Sequence, residues 1–160
     1  MSAATLLILH GLMSVALLGA VTHQFVSVIG SSAASRLGTA AGQSTFPGRY
    51  MRVRPNGFTT AVCLLYVASV VLGAIIYPTY RLDVRVAFEE MSLFWAVGLF
   101  EIKEHWGAIG LGALPLYVHC VGPQSSAAAP TDRIAIVSLL TLIVWGDFLT
   151  GHVLNNIRGL

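Results

Sequence analysis

Long apolar runs separated by short polar stretches set the pattern of this chain. The first run extends from Ala3 to Gly30, long enough at about 1.5 Å per residue to cross a hydrocarbon core of about 30 Å. No basic segment precedes it, His10 interrupts its apolar part, and Thr22-His23-Gln24 stands where a small-residue cleavage site would be wanted. It therefore reads as a retained helix and not as a signal peptide. From Ser31 to Asn56 the residues turn to Gly, Ser, Ala, Thr and Arg, with Pro47 and Pro55 as breakers, which predicts a polar connection. The second run spans Gly57 to Tyr80, and Tyr77-Pro78-Thr79-Tyr80-Arg81 at its end predicts an interfacial stop at Pro78. A mixed-charge link through Arg81, Asp83, Arg85, Glu89 and Glu90 leads into the third run, Phe94 to His119. A small-residue loop, Gly122 to Asp132, precedes the fourth, Ile134 to Thr150. The expectation is an all-α integral membrane protein: one membrane domain over residues 1–160, an up-down-up-down bundle of four helices with spans near 4–29, 57–79, 94–119 and 134–152.

Composition agrees with that pattern: of 160 residues 56% are hydrophobic and only 10% charged, with a mean hydropathy of +0.77. A net charge of +2, with arginines grouped in loops and no aromatic-basic pattern, argues against a nucleic-acid partner. Cys63 inside one apolar run and Cys120 at the end of another read as free thiols. The first and third connections carry Arg36, Arg49, Arg52, Arg54 and Arg133, and the other side carries Arg81, Arg85 and Arg158. By the positive-inside rule both termini lie outside the cytoplasm, in the inner (plasma) membrane of a bacterium. The bilayer is then the first partner, with a membrane protein or a second copy of the chain as a further one.

The stretch Phe100-Glu101-Ile102-Lys103-Glu104-His105-Trp106 changes the picture, because it places ionisable groups inside the third run. Such residues usually face a bundle interior, pair with one another and mark a site. In the antiparallel layout His10, Glu101 and Asp147 share one level about 9 Å inside the membrane, with Glu104 and His105 just below. His23 and His119 approach the opposite surface. At about 100° per residue Glu101, His105, Ala108, Gly112 and His119 fall on one face, the expected site face. Lys103 points about 160° away, with Asp147 as its expected partner. The expected site is a cavity lined by His10, Glu101 and His105, with Ala108 and Gly112 as its flat wall.

Three chemistries compete for these residues. Bis-imidazole ligation of a b-type haem needs one histidine from each of two facing helices, His10 or His23 from the first and His105 or His119 from the third. The same histidines, His10 and His105 above all, are candidate metal ligands. A carboxylate-bridged di-metal site is disfavoured, since that class places His three residues after Glu and here Glu101 precedes His105 by four. A proton relay or a structural network needs no cofactor, and in it Lys103, Glu101 and Glu104 are the acid–base candidates.

An early histidine in the first helix with a second near its end, a basic loop and proline before the second helix, Lys103 in the third, and Tyr117 with His119 downstream: this layout resembles the small four-helix membrane haem proteins, namely the membrane protoporphyrinogen oxidases and the copper-resistance D-like proteins. The resemblance implies a haem-ligand role for His10, a functional role for Lys103, and redox or porphyrin chemistry. The chain is also similar to bacterial membrane proteins of uncharacterised function that share its third helix.

Overall fold

The structure, a computed structural model, describes residues 2–37, 46–51, 53–123, 125 and 128–158; for residues 33–37, 47, 51 and 158 it describes the backbone alone. Arg52 and the side chains of Arg36 and Arg158, which entered the charge count above, lie outside the described residues. The described chain is helical: α1 (Ala3–Leu37), α2 (Phe46–Met51), a 3-10 turn (Pro55–Phe58), α3 (Thr59–Thr79), a π turn (Tyr80–Val84), α4 (Arg85–Glu90), α5 (Phe94–Val121) and α6 (Pro130–Arg158).

Several boundaries differ from those the sequence predicts: α6 begins at Pro130, inside the expected loop, and runs to Arg158, and two further differences have visible causes. The first helix does not end at Gly30: no proline intervenes before Pro47, and the Ser31 and Ser32 hydroxyls each donate to the Val28 carbonyl at 2.9 Å, so these polar side chains are satisfied within the helix. The expected open connection also contains α2 and the 3-10 turn, held down by α1. His23 stacks on Tyr50 with centroids 3.8 Å apart and its Nε2 donates to the Tyr50 carbonyl at 3.1 Å. Gln24 Nε2 donates to the Pro55 carbonyl at 2.9 Å and Ser27 Oγ to that of Val53. Three polar side chains on one turn of α1 thus satisfy three carbonyls of the connection.

The second correction is at Pro78, which lies inside a helix instead of stopping one. The π turn absorbs the irregularity: the Tyr80 N–H is shared between the carbonyls of Ile76 and Tyr77, and the Arg85 N–H reaches back to Tyr80. Continuation is favoured by packing, because it places Phe88, 1% exposed, against Ala96, Val97 and Leu154. The chain turns only at Met91–Leu93. There Leu93 N–H bonds the Phe88 carbonyl at 2.8 Å, Ser92 N–H bonds that of Glu89 at 3.0 Å, and Ser92 takes φ 58°. This is a Schellman cap with serine where glycine is usual.

The long helices close into a ring, each touching two others: α1 with α3 and α6, α5 with α3 and α6. Cross-helix pairs fix antiparallel registers. Tyr80 stacks on Phe100 while Thr59 bonds the Val121 carbonyl at 3.2 Å, and Lys103 lies beside Gly151 while Asp147 lies beside Gly107. The core between them is Leu17, Val21, Val62, Tyr66, Leu114, Tyr117, Val137, Leu140 and Val144. The outside is apolar as well, with Ile8, Leu12, Leu64, Val71, Ile75, Leu142 and Leu149 all exposed. A surface of that kind suits lipid and not water. Among the described residues three stretches are long and apolar enough to cross a membrane: Ala3–Ser32, Pro55–Glu90 and Pro130–Ile157.

Candidate functional site

The apolar interior is interrupted near one end by a group of polar side chains drawn from all four long helices. Residues Thr59, Val62, Tyr66 and Ser69 of α3 recur at helical spacing and are all buried, and Gly73 continues that face. From α1, the His10 ring sits against this stripe, with Cε1 3.5 Å from where a methyl on Gly73 would stand and the Ser69 backbone beside it. Its Nδ1 is buried without a hydrogen-bond partner, and so is the Ser69 hydroxyl. The Tyr66 hydroxyl donates to the Gly107 carbonyl of α5 at 3.1 Å.

Lys103 is the centre of the group. It is half-buried, its Nζ 5.6 Å from the centroid of the Phe100 ring and its Cε 3.5 Å from a methyl position on Gly151 of α6. It lies within electrostatic reach of both His10 and Asp147. One turn before Gly151, Asp147 points Oδ2 at Gly107, 3.5 Å from a methyl position there, while its Oδ1 is buried without a partner. The expected Lys103–Asp147 pairing is therefore a shared site and not a contact, since among the described residues the ion pairs are those of Arg85, with Glu89 at 2.7 Å and Glu101 at 3.5 Å.

The other candidates lie elsewhere. The inward face of α5 is Lys103, Gly107, Gly110, Leu114, Tyr117 and Val121, whereas Glu101, Glu104, His105, Ala108, Gly112 and His119 are exposed. The face expected to line a cavity is thus the outer face of the helix, and the His10–Glu101–His105 cavity is not what the fold builds. Periodicity separates two opposite faces but does not say which one turns inward; the contacts of Gly107 with Asp147 and of Gly110 with Tyr66 decide that. The His105 Nδ1–H donates to the Glu101 carbonyl of its own helix at 2.6 Å, and Glu101 meets Arg85. Glu104 stands at the rim, within electrostatic reach of Lys103, His105 and Arg81. His23 lies at the far end, clamped on Tyr50. His119 lines an open groove of about 550 Å³ between α5 and α6, with Cys120, Asp132 and Ile136.

Residues that sequence reasoning passed over are Tyr66, Ser69 and Tyr80. The first two were readable as polar positions three apart on the stripe that Gly73 continues. Tyr80 is 7% exposed, stacked on Phe100 with centroids 3.3 Å apart, and its hydroxyl has no partner. On the side away from this rim, Leu17, Val21, Val62, Leu114 and Leu140 separate the cluster from the second polar network, in which the Tyr117 hydroxyl donates to Gln24 Oε1 at 2.8 Å. Chemically, the cluster offers an amine, an imidazole and a carboxylate drawn from three helices. Among the described residues no three His, Cys, Asp or Glu side chains stand close enough to hold a metal ion. No protein-family model, curated protein or solved structure matches the chain.

Proposed function

We propose that the chain is a four-span, up-down-up-down protein of the plasma membrane whose His10–Lys103–Asp147 cluster is an acid–base site exchanging protons with one face of the bilayer. The observation that carries this reading is the set of unpaired buried atoms: His10 Nδ1, Ser69 Oγ and Asp147 Oδ1, on three helices, around one amine. Buried polar groups are nearly always hydrogen-bonded, and partners that the chain does not supply come from water or a bound ligand. Three proton-exchanging groups sharing such a space can pass a proton among themselves. The packing of α5 against α3 and α6 supports reading it as a fourth span.

The test is access. With Ser69→Cys, a charged, membrane-impermeant thiosulfonate is expected to label the protein from the side of Arg81 and Glu104 and not from the opposite side, at a rate that changes in K103M. The native chain, with half-buried Cys63 and buried Cys120, is the control. Failure to label from either side would end the reading. Reporter fusions after Arg54 and after Ala128 are expected to report the cytoplasm and one near Arg85 the other side; the reverse result would invert the orientation.

The pairing of His10 with Lys103 favours a second reading, a b-type haem held by His10. These are the two residues to which the resemblance to membrane haem proteins gives a role, and the His10 Nδ1, without a hydrogen-bond partner, suits a ligand. The residues do not fit bis-imidazole ligation, because His105 and His119 project away from the interior. Absorbance spectra of the purified protein, oxidised and dithionite-reduced, decide it. A Soret band lost in H10A and kept in H105A would favour a haem at His10, and no band from haem-replete cells would exclude it.

A further inference from the structure

Polar residues on the outside of a membrane helix need something other than lipid, and α5 has them at a depth where its neighbours are apolar. The registers Tyr80 against Phe100 and Thr59 against Val121 bring Glu104 and His105 level with Ile75 and Ile76 of α3. The contacts of Trp106 with Gly146 and of Lys103 with Gly151 bring them level with Phe148 and Leu149 of α6, and His10 against Gly73 brings in Ile8 of α1. At that level Ile8, Ile75 and Leu149 are 64%, 53% and 51% exposed. The apolar belt is broken on α5, where a carboxylate and an imidazole are exposed instead. A charged group facing hydrocarbon costs several kcal/mol, so this face is covered.

The arrangement on the helix says by what. Taking Ala108 as the centre of the exposed face, Glu104 lies about 40° to one side and His105 about 60° to the other, at about 100° per residue. In a parallel pair related by a two-fold axis, a residue on one side of the centre line meets the residue on the opposite side of the other helix, and each contact occurs twice. Glu104 of each copy then meets His105 of the other. His105 uses Nδ1–H on its own Glu101 carbonyl, which leaves Nε2 as the outward nitrogen, so one proton between Nε2 and the carboxylate completes each pair. Ala108 on the centre line and Gly112, about 40° from it on the His105 side, are small, and a methyl on Gly112 would meet nothing within 4 Å, so a second helix has room to approach.

We propose that the outward face of α5 is the interface of a parallel, two-fold homodimer held by reciprocal Glu104–His105 pairs across Ala108 and Gly112. The proposal rests on α5 being a span, and the experiment separates the two. In native membranes, oxidation of A108C is expected to give a disulfide-linked dimer. L64C, at an exposed apolar position of α3, and the native chain are expected to give no disulfide-linked dimer. E104L in the A108C chain is expected to lower the cross-linked fraction at least fivefold. A108C and G112C that both resist cross-linking, yet are shielded from impermeant thiol reagents on both sides, would overturn the dimer and leave the spans standing. Ready labelling of A108C by an impermeant reagent would overturn both.

Discussion

Gly110→Ala tests whether the inward face of α5 has been assigned correctly. A methyl there would overlap the Tyr66 hydroxyl and lie 2.6 Å from its Cζ and 3.2 Å from its Cε2. Tyr66 is 3% exposed and its hydroxyl is held on the Gly107 carbonyl at 3.1 Å, so the ring has little room to tilt and loses that bond when it does. Overpacking costs about 1–3 kcal/mol. A hydroxyl left buried without its acceptor adds about 1–3 kcal/mol. Alanine in place of glycine within a helix returns about 1 kcal/mol. The net is a loss on the order of 3 kcal/mol, which for a chain of this size lowers the melting temperature by about 6–12 °C. The assay is thermal unfolding in a single detergent, followed by tryptophan fluorescence. Gly98→Ala on the same helix is the control, because a methyl there meets nothing within 4 Å. In a Y66L background the cost of G110A should fall by more than half, since the obstructing ring is gone. A G110A protein that melts with the native chain or above it would show that α5 is rotated from the orientation described, and the site would fall with it.

Other substitutions probe separate parts of the argument. Ser92→Gly should stabilise by about 0.5–1 kcal/mol, because a side chain at this left-handed cap position is strained, and an unchanged melting temperature would count against the cap. Gln24→Leu should cost about 2 kcal/mol or more by leaving the Tyr117 hydroxyl and the Pro55 carbonyl unsatisfied, which the same unfolding assay reads. K103M and D147N should each destabilise, and the double variant by at least 0.5 kcal/mol less than their sum, because each single change leaves a charge in the interior without its counterpart; strict additivity would deny that they share a site.

The amino-acid sequence by itself determined that this chain is helical and suited to a membrane, because apolar runs of this length have no other way to satisfy their backbone groups in lipid. The runs beginning near Ala3, Gly57 and Ile134 coincide with three helices long enough to span. Where helices stop was less legible: Pro78 is an effective local signal, but burying Phe88 against α5 and α6 outweighs it. Only the tertiary structure decided which face of α5 is inside. Both faces carry polar groups at helical spacing, so phase could not choose between Lys103 and His105. The choice follows from close approach, since Tyr66 and Trp106 fit only against glycines at 110 and 146, and contacts between distant parts of the chain leave no mark in local periodicity.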